Sequence, residues 1–223
     1  MVLPELGVIF DAGTGMFRVR DLIQTKTLDI FLSHAHLDHS IGLTFLYDIL
    51  FEKDVSRVTV HLEKSKIAAI EEHLYNIALF PVKPNFEFQP ISGKADEAVE
   101  LLDGSKVSAI DLEHPGGSHG FRIDWKDRSL AYITDTTARV DAEYVDSIQG
   151  VDTLVHECYF ADGWEDRAEM TGHSCLTPVA QVAAKANAKR LFLVHINPLE
   201  ESKTPLDLDT IKNVFTDLSL IHI

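Results

Sequence analysis

Short apolar runs recur along the chain, and most of them stop at a polar residue capable of chemistry. Residues 7–10 form a brief apolar run that enters Asp11-Ala12-Gly13-Thr14-Gly15, where the glycines permit a tight turn. Residues 28–32 read as a buried strand, and residues 40–50 carry apolar side chains at helical spacing. A strand is expected over 58–62. A helix over 65–74 follows, with Ser65 as N-cap and Ile67, Ile70 and Leu74 on one face. Residues 106–113 alternate polar and apolar, the period of a half-buried strand. Further strands are expected over 129–134, 152–157 and 190–194. A helix is expected to start at Thr177 and Pro178, with Val179, Val182, Ala183 and Ala186 inward. The tail predicts a helix over 207–215 and a last strand over 218–223. Strands alternating with helices indicate an α/β protein.

The remaining stretches are less regular. Residues 78–90 hold Pro81, Pro84 and Pro90 beside Phe80, Phe86 and Phe88. That pattern suits an edge strand whose aromatics pack in the core or line a cleft. Residues 93–104 read as a turn and an acidic surface stretch, and residues 161–171 as a polar loop holding Trp164. His61, His73 and His222 have no ligand-spaced companions and read as structural or surface groups.

The bulk numbers narrow the classes. A length of 223 residues suits one domain spanning 1–223, with a substantial core. No apolar run approaches the roughly 20 residues that cross a membrane. The start, Met1-Val2-Leu3-Pro4-Glu5, lacks the basic and apolar regions of a signal peptide. A cytoplasmic protein is expected, with Cys158 and Cys175 as thiols. Acidic residues outnumber basic ones 35 to 20, for a net charge of −15. RNA backbones are usually met by a basic face, so this balance disfavours a large RNA partner. A local patch of Lys64, Lys66, Lys83 and Lys94 is the available exception.

The chemistry concentrates in Ser33-His34-Ala35-His36-Leu37-Asp38-His39, directly after the strand over 28–32. Imidazole and carboxylate are donors for zinc and related divalent metals. In an extended loop His34 and His36 point to one side and can grip one ion. Asp38 and His39 lie past the turn and can face a second. Such a geometry suits two metals with a hydroxide between them. A solvated polar loop would account for one histidine there, but poorly for this spacing. Glycines at 116 and 117 follow His114. Asp135 ends a strand, where it could bridge two cations or cap a helix. Glu157 ends another, His195 follows a third, and His173 sits in Gly172-His173-Ser174.

The pattern His34-x-His36-x-Asp38-His39 resembles the signature of the metallo-β-lactamase-fold hydrolases, and the chain looks most similar to their ribonuclease Z-like phosphodiesterase branch. The resemblance implies a four-layer αββα sandwich. It implies a first ion held by His34, His36 and His114, a second held by Asp38, His39 and His195, and Asp135 bridging them. Gly120-Phe121 fits the Gly-aromatic pair that begins the next strand in that family, which gives the ligand role to His114. His119 is left for the substrate or the surface. Asp11 matches a turn beneath the metal loop and could buttress it, though an ordinary Asp-Gly turn explains it equally well. Glu157 and His173 match a carboxylate–imidazole pair beside the metals. The family has one or two strands before the Asp11 turn, so a trimmed first sheet is an expectation, and a homodimer could complete it.

The reading that follows is a hydrolase with two divalent ions, zinc first, with manganese and iron compatible with the same donors. Asp38, His173 and Glu157 would serve catalysis, and the substrate would be a small phosphodiester. The chain departs from ribonuclease Z itself. It has no glycine- and lysine-rich arm of the kind that clamps transfer RNA, and Ile196-Asn197-Pro198-Leu199 stands where Ser-x-Arg-Tyr usually follows the last ligand. Transfer-RNA 3′ processing is therefore the nearest alternative. Lactone or thioester hydrolysis and a catalytically silent metal-binding module are the alternatives from other classes.

Overall fold

The computed structural model describes residues 1–93, 97–199 and 206–220, and places them in two compact units. Lys94 and His222 lie outside the described residues.

The first unit holds residues 1–92 with 101–103. Its sheet runs in the order β1 (Val2–Leu3), β2 (Val8–Phe10), β3 (Thr27–Phe31), β4 (Arg57–Glu63), β5 (Glu87–Ile91). β1 is antiparallel to β2, and every other neighbour is parallel. Parallel strands are covered on both faces, so their residues are apolar without alternation. Val8, Ile9, Phe10, Ile30, Phe31, Val60 and Leu62 are accordingly buried. Two strands thus precede the Asp11 turn, where the sequence suggested a trimmed sheet. β5 is an edge strand, which is why it tolerates Pro90. Phe86 belongs to the core of this unit and Phe88 packs against it, so these aromatics serve packing. His61 is buried, stacks on Phe31 at 4.3 Å and contacts Asp29 Oδ1 at 2.9 Å.

The helix expected over 40–50 is broken into α1 (Leu37–Ser40), a 3-10 turn (Ile41–Phe45) and α2 (Leu46–Leu50). Gly42 causes the break. Its N–H donates to Ala12 O at 2.7 Å, across to the Asp11 turn, instead of to its own helix. A Cβ there would lie 2.4 Å from Gly13 O, so only glycine permits this approach. α3 (Lys64–Ala69) starts one residue before Ser65 and widens into a π turn at Ile70–Leu74. Glu63 is its N-cap residue, and the Ser65 hydroxyl donates to the Glu63 carboxylate instead of capping. Thr14–Leu22 forms a 3-10 helix that the residue pattern does not reveal.

The second unit holds a seven-stranded sheet. Its strands are β6 (Val99–Glu100), β7 (Lys106–Leu112), β8 (Ser118–Asp124), β9 (Ser129–Ile133), β10 (Thr153–Glu157), β11 (Arg190–Val194) and β12 (Leu218–Leu220). The spatial order is the sequence order, with β6 to β9 antiparallel and β9 to β12 parallel. α4 (Tyr144–Ser147), α5 (Glu165–Thr171) and α6 (Leu176–Lys185) complete it. α5 occupies what the sequence offered as a polar loop. α6 begins with Cys175 as N-cap rather than Thr177. The cap is supplied from a distance: Asp162 accepts from Thr177 N at 2.8 Å and from its hydroxyl at 2.6 Å. The tail helix is reduced to one 3-10 turn, Leu208–Ile211, capped by Asp207.

Register decides what this sheet can hold. Glu157 pairs with Val194 and His156 with Ile133, so β9, β10 and β11 end level with one another. β7 and β8 reverse direction twice, which brings the end of β7 to the same edge. His114, Asp135, Glu157 and His195 all emerge along that edge.

Candidate metal centre

In the first unit the loop between β3 and α1 gathers three imidazoles. The His34 ring centroid lies 4.3 Å from that of His36 and 4.4 Å from that of His39. Asp11 organises two of them. Its Oδ2 lies 3.0 Å from His39 Nδ1. Its Oδ1 accepts from Ser33 N at 2.8 Å and from the Ser33 hydroxyl at 2.9 Å. That hydroxyl in turn accepts from His34 Nδ1 at 2.9 Å. Both Nδ1 atoms are thereby tethered, which makes Nε2 the ligating atom of His34 and His39. Asp11 Oδ1 and Oδ2 are thus both engaged, so the buttress reading of Asp11 holds over the ordinary turn. Burial pushes the Asp11 carboxyl up, but His39, the Ser33 N–H and His34 outweigh it and hold it below its ordinary value. Asp38 sits at the start of α1 with Oδ2 3.3 Å from His39 Nε2, and its side chain is exposed.

The backbone is held as tightly as the side chains. Asp11 N donates to Phe31 O and Ala12 N to His39 O, at 2.9 and 2.8 Å. These bonds close the Asp11 turn against both ends of the histidine loop.

In the second unit the edge of the seven-stranded sheet carries the remaining donors. Asp135 is buried and divides its carboxylate: Oδ2 lies 3.7 Å from His114 Nε2 and Oδ1 lies 3.6 Å from His195 Nε2. These separations exceed a hydrogen bond and suit ligands that share an ion. The Thr134 hydroxyl donates to Asp135 Oδ1 at 2.7 Å. His114 Nδ1 donates to Gly172 O at 2.9 Å, which again directs Nε2 outward. Gly172 is the left-handed residue that closes α5, and a Cβ there would meet Pro115 and His114 at 2.4 and 2.7 Å. The end of α5 therefore shapes the seat of His114.

Glu157 is fully buried at the end of β10. Its Oε1 accepts from Thr136 N at 3.2 Å and faces His173 Nδ1 at 3.3 Å, and its Oε2 accepts from Tyr159 N at 3.1 Å. The expected carboxylate–imidazole pair is present. The His173 ring forms a triangle with two others, its centroid 5.0 Å from Tyr159 and 5.3 Å from His195, which lie 5.7 Å from each other. Glu157, His173 and His195 bring donor atoms within 4.8 Å of one another, a group that could itself hold a cation. His119 is buried against Asp111, with Nε2 3.0 Å from Oδ1, and serves the sheet rather than a surface.

Asp11, Asp135 and His195 share one further trait, a positive φ of 59°, 46° and 56°. Each is the residue at which a strand turns out of its sheet. Non-glycine residues rarely hold this conformation, and such strain collects at functional sites. No sequence pattern exposes it.

The donors fit a divalent metal. They are imidazoles, three of them (His34, His39 and His114) tethered through Nδ1, together with carboxylates, the hard nitrogen and oxygen set that suits zinc, manganese or iron. The cysteines stay out of it. Both are buried, and burial pushes the Cys158 thiol well above its ordinary range. Among the described residues no helix is long and apolar enough to cross a membrane.

Comparison with known proteins agrees. A family model described as the beta-lactamase superfamily domain matches residues 7–196. The ribonuclease Z of Archaeoglobus fulgidus is 26% identical over an alignment 263 positions long, covering 93% of this chain and 83% of that protein. Human tRNase Z, short form, is similar in fold with a TM-score of 0.69 at 22% identity, covering 90% of this chain and 84% of that one. A diphosphatase of the PhnP family reaches a TM-score of 0.71 at 20% identity, covering 96% and 76%. The chain belongs to the beta-lactamase superfamily, and within it is similar to proteins named ribonuclease Z.

Proposed function

We propose that the chain is a dinuclear metal-dependent phosphodiesterase acting on small phosphodiesters. The observation that carries the reading is Asp135, which offers one oxygen to the side of His114 and the other to the side of His195. In this reading the two units form one domain, which the family match across 7–196 supports. His34, His36 and His114 would hold one ion. Asp38, His39 and His195 would hold the other, with Asp135 common to both. Zinc is the first choice of metal. When bound, the ions would supply a water of near-neutral pKa and stabilise charge developing on a phosphoryl oxygen.

The chain's own residues do the rest. Asp11 and Ser33 fix the ring orientations of His34 and His39, so little reorganisation is needed at the moment of reaction. Glu157 holds His173 by Nδ1, leaving Nε2 to face the departing oxygen as a general acid. The Tyr159 and His195 rings, which pack against that imidazole and against each other, keep it in place.

Transfer-RNA 3′ processing is the second reading, favoured by relatives named ribonuclease Z over most of this chain. The acidic balance of 35 to 20 supports the smaller substrate instead. A cytoplasmic location fits either.

A paired cleavage assay tests the choice. Metal-loaded protein is given bis(p-nitrophenyl) phosphate in one arm and a transfer-RNA precursor with a 3′ trailer in the other, with Asp38→Ala as control. Turnover of the small diester alone supports the proposal. Cleavage of the precursor at the trailer junction replaces it with the second reading. Silence in both arms overturns both and brings lactones and thioesters forward.

A further inference from the structure

Beside His173 the second unit opens into a cavity of about 370 Å³, within the range of pockets that bind small ligands. Its described walls include Tyr159, Trp164, Arg167, Asn197 and Leu206. Three features set it apart from a packing defect. First, among the described lining residues Arg167 is the one with a permanent charge and none is a carboxylate, although acidic residues dominate the sequence. Second, that guanidinium stands apart from the other arginines. Arg20, Arg57, Arg122, Arg139 and Arg190 bond to protein oxygens, and Arg18 and Arg128 lie over aromatic rings. No such partner is found for Arg167 among the described residues. Third, Trp164 is 54% exposed at the cavity although it is a large apolar ring, and it stacks on no other ring among the described residues.

The placement follows from the fold. Trp164 is the N-cap residue of α5, Arg167 lies in its first turn, and the helix ends at Gly172, whose carbonyl oxygen tethers His114. One short helix therefore fixes both the cavity wall and a proposed metal ligand.

We propose that this cavity is the leaving-group subsite for a nucleotide, with Arg167 recognising its phosphate and Trp164 providing the platform on which its base stacks. The inference rests on the phosphodiesterase reading and narrows its substrate to diesters whose departing side is a nucleotide. A guanidinium matches a phosphate with paired donors, and an indole face accepts any base. The cavity's contact with His173 puts the departing oxygen beside the group that protonates it.

The test is binding of adenosine 5′-monophosphate and of adenosine to metal-loaded protein, followed by calorimetry and by tryptophan fluorescence. Wild type should bind the monophosphate about tenfold or more tightly than the nucleoside, the scale of one charge-assisted hydrogen bond. Arg167→Ala should erase that gap, and Arg167→Lys should restore part of it. Trp164→Ala should weaken both ligands, while Arg128→Ala should change neither. Equal affinity of wild type for the two ligands, or a gap that survives Arg167→Ala, overturns the subsite. Bis(p-nitrophenyl) phosphate turnover is measured alongside. A gap that depends on Arg167 without any turnover keeps the nucleotide site and refutes the phosphodiesterase reading. Turnover without the gap does the reverse.

Discussion

The two units hold their donors in different ways. In the first, His34, His36, Asp38 and His39 crowd the loop and first helical turn after one strand, and a single carboxylate, Asp11, tethers two of the rings, one of them through Ser33. In the second, His114, Asp135, Glu157 and His195 come from four strand ends, and the first three each have a separate support. Gly172 O holds His114, Thr134 holds Asp135, and backbone N–H groups hold Glu157. Local clustering concentrates dependence on one buttress. Dispersal along a sheet edge spreads that dependence over the strand register. The two arrangements should therefore fail differently.

The largest effect is expected at Asp135. Asp135→Ala removes the oxygens facing both His114 and His195, so phosphodiesterase activity should fall to background. Bound metal, measured by elemental analysis, should fall from two ions per chain to one or none. Two retained ions would refute the bridging role. His173→Ala comes next. It should lower kcat on bis(p-nitrophenyl) phosphate by about 10²- to 10⁴-fold while the metal content stays unchanged. A loss of metal in that variant would make His173 a ligand, as its grouping with Glu157 and His195 allows.

Asp11→Asn probes the shared buttress. It should weaken metal affinity by about 10- to 100-fold, and the loss should exceed that from Thr134→Val, which frees only one bond to Asp135. Competition with a chelator measures both. Equal losses would show that the first unit is not more dependent on its buttress than the second. The smallest effect is structural. Gly42→Ala puts a Cβ 2.4 Å from Gly13 O, and overpacking of that kind costs about 1–3 kcal/mol, read as a fall in Tm. An unchanged Tm would mean that the Asp11 turn gives way without cost.

The same contrast explains what could be read in advance. The His34-to-His39 cluster is legible because its members are sequence neighbours with ligand spacing. His114, Asp135, Glu157 and His195 became legible through the resemblance and through their place after apolar runs. Other features had no local signal. Ser33 looks like any loop serine until its hydroxyl is seen between Asp11 and His34. The cap of α6 comes from Asp162, well outside its own helix, so Thr177 offered a better local cap than the fold uses. α5 was hidden because residues 165–171 are mostly polar, with Ala168 alone buried. His119 was left between substrate and surface because its partner Asp111 lies across a hairpin, opposite it in register.

What the sequence by itself determined is the class of the protein. Apolar runs fixed the strands, and the donors at their ends announced a metal-dependent hydrolase. Composition excluded a membrane-spanning helix. These properties depend on side-chain chemistry and on short-range periodicity, both of which are written along the chain. Only the tertiary structure decided how the donors are aimed. The tethering of Nδ1 in His34, His39 and His114, the left-handed backbone at Asp11, Asp135 and His195, and the level ends of β9, β10 and β11 arise only once distant segments have come together. The pairing of Arg167 with Trp164 around a cavity beside His173 is of the same kind, because a cavity exists only once several segments have packed around it.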